Sequence, residues 1–200
     1  MNPYIIEITP FTVAGWKIQI KLPNVSRHAD IPAFSYTDIY ETEDKKQLRS
    51  KTYSLKEHFA KSNAIKHCEI YLCYDADPSK GEFNYFFGRG IFHPDDMKNI
   101  LPDIVTVEIG GLYAIFTLPR VPVEQQENME QVIKDLWNDI MFKWLPDSEF
   151  EYDETRKDFE HYDLRSHGQF FGGKKQMDIY IPIRQCEEAY QEAMKKGLVF

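Results

Sequence analysis

The sequence is short of cysteine, of long apolar runs and of positive charge, and each shortage excludes something. Cys68, Cys73 and Cys186 make an odd number without metal-type spacing. Cys68 and Cys73 lie five apart in one expected strand, on opposite faces, and cannot pair without distortion. All three read as reduced thiols of a cytoplasmic protein. No stretch approaches the ~20 apolar residues that cross a bilayer, and no basic segment followed by an apolar run opens the chain. With 24 Lys and Arg against 32 Asp and Glu, the net charge is -8. Phosphate neutralisation needs clustered bases, so no direct nucleic-acid binding is expected, and no helix-turn-helix pattern stands at either end. His28, His58, His67, His93, His161 and His167 never form HxH or HExxH, and no serine sits in GxSxG. Gly88-Arg89-Gly90 falls inside an expected strand, not before a helix, and is no phosphate loop. Neither a metal nor a cofactor is expected.

Aromatic side chains are plentiful: 14 Phe, 12 Tyr and 3 Trp in 200 residues. Rings in that number fill a core or line a ligand cavity. The acids are unevenly placed. From Glu124 to Asp163 there are 13 acids and 4 bases, a net of -9, which leaves +1 for the remainder. A solvated face is the plain reading, and a field attracting cations is the sharper one.

Residue patterning predicts an α+β fold. Tyr4 to Leu22 reads as strand, bent near Pro10 and Gly15. Asp30 and Pro32 suit a helix start, and the charged stretch from Glu41 to Ser62 reads as weakly anchored helix. Cys68 to Asp75 and Phe83 to Phe92 form an expected hairpin about Asp77-Pro78-Ser79-Lys80-Gly81. Ile104 to Ile109 and Leu112 to Leu118 flank Gly110-Gly111, a bend or hairpin turn. A helix from about Gln125 to Leu145 carries Met129, Val132, Ile133, Leu136, Trp137, Ile140, Met141 and Trp144 at three-four spacing, before Pro146. Phe159 to Leu164 and Met177 to Ile183 are strands joined by a glycine-rich mobile loop. Gln185 to Gly197 reads as a terminal helix. The two halves repeat as strand, helix, strand, strand, at a period near ninety residues.

Glu160 is the candidate for chemistry. Alternation puts Glu160 and Tyr162 on one face of their strand and Phe159 and His161 on the other. Ile179, Ile181 and Ile183 read as the core side of the last strand, which points Tyr180 to the other face, toward a cleft shared with Glu160. An ionised carboxylate among rings is costly unless a cation or hydrogen bonds compensate it. A cationic ligand supplies that compensation, with cation–π attraction added. By spacing alone, a surface glutamate on a half-exposed strand is the plainer reading. The Met and Trp stripe of the helix is chiefly core, with Trp137 or Trp144 able to reach a cleft wall.

The segment WNDIMFKWLPDSEFEYDETRKDFEHYD resembles the helix, WLP-S stop and F-E-x-Y strand of GyrI-like effector-binding domains. FTVAGWKIQI, YLCYDADP, FNYFFGRGI, GLYAIFTLP and IYIPIR extend the similarity in order, from about residue 4 to 184. The resemblance implies tandem β-α-β-β units, about 1–100 and 101–184. These would form a concave antiparallel sheet with helices outside and a central ligand cleft, while residues 185–200, beyond the matched region, read as a helical extension. It implies a small-molecule ligand, cationic or aromatic, anchored by Glu160, with Tyr180 and Trp137 as the best-matched lining positions; Tyr162, Trp144, Tyr113 and Tyr85 are the further candidates for the lining. Two other readings stay open. One is a hydrolase of strained cyclopropanoid or activated compounds, with Glu160 as general base. The other is a gyrase-inhibitor-like module whose partner is DNA gyrase or a regulator. Monomer and homodimer are equally compatible with the sequence.

Overall fold

The computed structural model describes residues 2–21, 64–77, 82–91, 104–169 and 171–187. The long strands grow from β-branched and aromatic runs, as propensity requires. They are β1 (Tyr4–Lys21), β2 (Ala64–Asp77), β3 (Glu82–Ile91) and β4 (Val105–Thr117). The shorter ones are β5 (Val121–Pro122), β6 (Phe150–Tyr152), β7 (Phe159–Tyr162), β8 (Lys174–Lys175) and β9 (Asp178–Gln185). The main sheet runs β4-β1-β3-β2-β7-β9-β6, and β9 also pairs with β4. That last pairing, Ala114 with Ile181 and Phe116 with Ile179 among others, brings the sheet back to its first strand. The expected antiparallel sheet thus closes into a six-stranded ring, which removes two strand edges.

Both faces of the ring are packed. The inner face collects Val13 from β1, Ile70 and Leu72 from β2, Phe86 from β3, Ile109 and Tyr113 from β4, and Phe159 from β7. The outer face of β4 and β9 presents Ala114, Phe116, Ile179, Ile181 and Ile183 to helix α1 (Met129–Asp139). Met129, Ile133, Leu136 and Ile140 from the predicted stripe meet these residues. The expected helix Gln125–Leu145 is thus present but not uniform. Val123–Asn128 is a 3-10 turn, Ile140–Trp144 is a π turn, and Pro146 lies within a closing turn, Leu145–Asp147.

Several sequence expectations change. Gly110-Gly111 is no hairpin: β4 runs straight through it. Gly111 takes a φ of 103°, opposite the register shift between Ile8 and Phe11 on β1. The bend expected near Pro10 is this bulge, whereas Gly15 serves close approach and stands opposite Gly88 on β3. The glycine-rich connection expected as a mobile loop contains a 3-10 turn, Leu164–His167, and the strand β8, which pairs with β5. Leu164 belongs to that turn, so β7 ends at Tyr162. The helices expected at Asp30–Ile39 and Glu41–Ser62, and nearly all of the terminal one, lie outside the described residues, which also leaves part of the expected duplication there.

Candidate functional site

Cross-strand register decides what Glu160 faces. Residues directly opposite in an antiparallel pair share a face of the sheet. Glu160 stands opposite Ile179 on β9 and opposite Tyr71 on β2. It therefore lies on the outer face, with the isoleucines and under helix α1. Tyr180 stands opposite Phe159 and belongs inside the ring. The shared cleft of Glu160 and Tyr180 expected from alternation is a misassignment, because alternation within a strand does not say how the next strand is registered. Tyr180 stacks on Phe159 at 4.5 Å between ring centroids and 15° between planes, and meets His161 edge-on. Tyr113 is also inside: it is fully buried, and its hydroxyl donates to the Lys157 carbonyl at 3.0 Å. These two tyrosines do not line a site with Glu160.

The residues that do meet Glu160 come from the helix and from two neighbouring strands. Glu160 is 9% exposed. Trp137 Nε1 donates to Oε1 at 3.2 Å, and Tyr162 Oη donates to Oε2 at 2.8 Å. Tyr71 meets the Tyr162 ring edge-on at 4.9 Å, packs at 4.4 Å against Phe87, and lies 6.3 Å from Tyr85. Tyr162, Trp137 and Tyr85 are thus brought to the face of Glu160. Trp144 packs farther along against Phe116 and Phe150, with no bond to the carboxylate. Tyr71 and Phe87 were missed by sequence reasoning, since their relation to Glu160 exists only through pairing. The fragment YLCYDADP, which contains Tyr71, was the available signal. Two residues along β2, the buried Glu69 is ion-paired with Arg89 of β3 beside Tyr162.

Burial pushes the Glu160 carboxyl above its ordinary value. The hydrogen bonds from Tyr162 and Trp137 pull it back, and Asp158 raises it further. Asp158 is itself pushed up to about 6 by burial, against a hydrogen bond from the Tyr152 hydroxyl at 2.8 Å. Glu160 is thus held by two neutral donors, and among the described residues no lysine or arginine pairs with it. A carboxylate solvated by neutral dipoles under a helix, with rings on one side, can accept a cation or a hydrogen-bond donor. The Tyr162→Phe protein should remain folded, losing about 1–3 kcal/mol. Its Glu160 should titrate higher still, as carboxyl-carbon NMR would read directly.

A second set of polar groups lies on the inner side of the same strands. His161 of β7, Asp163 and Asp178 of β9 bring one potential ligand atom each to within 4.8 Å of one another. Arg165 Nε donates to Asp163 at 2.8 Å, its other arm binds Asp178, and Thr117 donates to Asp178 at 2.6 Å. Burial holds the His161 imidazole below its ordinary pKa, with Asp163 and Asp178 pulling the other way. Sequence spacing gave no hint of this group because Asp178 joins His161 and Asp163 only through the pairing of β9 with β7.

The chain belongs to the Cass2 family of integron-associated effector binding proteins, whose family model matches residues 4–183. No curated protein matches the sequence. Among solved structures, the fold is shared with SAV2435 bound to tetraphenylphosphonium. That pair has a TM-score of 0.56 and 13% identity, over 92% of this chain and 94% of the other. An integron cassette protein from the mobile metagenome of Vibrio cholerae gives a TM-score of 0.51 and 16% identity, covering 92% and 96%. The C-terminal domain of EcmrR gives 0.50 and 10%, covering 92% and 98%. The GyrI-like resemblance read from the sequence therefore holds. No helix among the described residues is long and apolar enough to cross a membrane.

Proposed function

We propose that the chain captures an amphipathic organic cation on the outer face of β7 and β2, with Glu160 as its counterion. Residues 1–184 form the binding unit in this reading, and 185–200 an appended segment. Tyr71, Tyr162, Phe87 and Trp137 supply the aromatic contacts. The observation that carries this reading is a buried carboxylate whose hydrogen-bond partners are both neutral. Such a group costs stability in the free protein, and a ligand that brings positive charge offsets the cost. Tetraphenylphosphonium, bound by the structural relative SAV2435, is a suitable first probe. Regulation through a partner would then follow from ligand occupancy.

A hydrolase would use the same carboxylate as general base, and its raised pKa suits that task. Both of its oxygens already accept hydrogen bonds, however, which reduces their basicity and favours holding a ligand over taking a proton.

The test is the pH dependence of affinity. A cation needs the ionised carboxylate, and the Glu160 pKa lies above its ordinary value. Tetraphenylphosphonium binding should therefore be strongest above that raised pKa. It should weaken on acidification through that raised pKa, earlier than an ordinary glutamate would dictate. Triphenylphosphine oxide, a neutral compound of similar shape, should show no such decline. Equal affinity for both compounds at every pH would remove the reading.

A further inference from the structure

On the inner side of the strand that carries Glu160, two chain segments converge at one end of the ring. β7 supplies His161, the turn after it supplies Asp163, and β9 supplies Asp178. Their ligand atoms lie within 4.8 Å of one another. Asp178 is buried, and His161 and Asp163 are partly so. One nitrogen of His161, Nδ1, is sealed from solvent and has no hydrogen-bond partner. Glu69 pairs with Tyr162, which brings the preceding residue, Cys68, beside Asp163. Its thiol is free and half-buried, close enough to feel the charge of Asp163.

We propose that His161, Asp163 and Asp178 form a binding site for a divalent transition-metal ion of the zinc type, with the Cys68 sulfur as a nearby fourth donor. Imidazole, carboxylate and thiolate together suit zinc, cobalt or nickel better than magnesium or calcium, which prefer oxygen donors alone. Zinc–ligand bonds of about 2.1 Å require ligand atoms about 3.4 Å apart in a tetrahedral site. The atoms of His161, Asp163 and Asp178, all within 4.8 Å of one another, would have to draw together to reach that value.

Arg165 bears on this site in a particular way. Its guanidinium bridges Asp163 and Asp178, so a positive charge already stands between the two carboxylates. Its side chain is 27% exposed, which leaves it a path to solvent. An entering metal ion would replace it and would also satisfy the buried histidine, which the guanidinium, itself a donor, does not. Arg165 is therefore a competitor for the site, and removing it should tighten metal binding. A merely structural salt bridge makes no such prediction.

Zinc chloride titrated calorimetrically into the full metal-free chain should show one ion bound per chain. The Arg165→Gln protein should bind it at least about tenfold more tightly, and His161→Gln at least about tenfold more weakly. Cys68→Ser should fall between wild type and His161→Gln. Cobalt(II) added to wild type should give a visible spectrum that changes in His161→Gln, a readout independent of stability. The Glu160→Gln protein should bind zinc like wild type, which separates this site from the organic-cation site. Absence of binding to both wild type and Arg165→Gln would overturn the proposal. So would equal zinc affinity in wild type and His161→Gln, because the ion would then be held by carboxylates without a built site.

Discussion

The Glu160→Gln protein should lose about 10- to 100-fold in affinity for tetraphenylphosphonium and stay as stable as wild type or become more so. The loss follows from removing a charge that contributes about 1.5–3 kcal/mol when it meets a charged partner. The stability follows from the sign of the pKa shift. A carboxyl whose folded pKa is raised is bound more weakly in its charged form by the folded state, so its contribution is most favourable at low pH and is lost as pH rises through that pKa. Above that raised pKa the wild-type chain carries this cost, and the glutamine does not. The amide also fits: its oxygen can accept from Trp137 Nε1, while its nitrogen donates to the Tyr162 hydroxyl oxygen. Binding by calorimetry and melting temperature at pH 7.5 together read the two effects. A variant that binds tetraphenylphosphonium like wild type would leave Glu160 without its proposed role. Triphenylphosphine oxide binding should change little, which distinguishes a lost charge from a collapsed site.

The Gly15→Ala substitution should be the most damaging single methyl that can be added to β1. Gly15 pairs with Gly88, and a Cβ on Gly15 would lie 2.0 Å from the Phe87 carbonyl oxygen and 2.5 Å from the Gly88 Cα. Those are backbone atoms of the neighbouring strand, so relief requires parting β1 from β3. The ring would open at that seam, beside the inner-face packing of Val13 and Phe86. A cost of about 4 kcal/mol or more is expected, a large share of a reserve of about 5–15 kcal/mol. For a chain of this size, that lowers the melting temperature by about 8–16 °C or abolishes soluble expression. Gly172→Ala is the control. Its φ is +64° with nothing within 4 Å of the added methyl, so only backbone strain of about 1–2 kcal/mol applies. A Gly15→Ala protein that melts like wild type would show that the two strands are not so closely joined.

Much of the fold was legible because its signals are local. The apolar stripe from Met129 to Ile140 produced a helix where the three-four spacing placed it. Alternation along Phe159 to Tyr162 correctly put Glu160 with Tyr162 and opposed both to Phe159 and His161. Ile179, Ile181 and Ile183 were rightly read as core, and Glu160 and Trp137 are bonded to each other although 23 residues apart. The Gly110-Gly111 pair was misread because a bulge and a hairpin turn use the same residue for the same positive φ.

Sequence by itself determined the composition of each strand face, the position and inward side of the helix, and the presence of one acid among rings. It also carried enough ordered resemblance to name the family. Only the tertiary structure decided which strand faces meet. The β7–β9 register put Tyr180 inside the ring and Glu160 outside it, and the β2–β7 register supplied Tyr71 as the ring beside the carboxylate. Closure of β9 onto β4 turned an expected cleft side into a packed interior, and the β7–β9 register set His161 and the neighbouring Asp163 against Asp178. The physical reason is that side-chain alternation has a period of two along each strand and carries no information about its neighbour. A shift of one residue in pairing exchanges the two faces, and that choice is made by packing around the whole sheet.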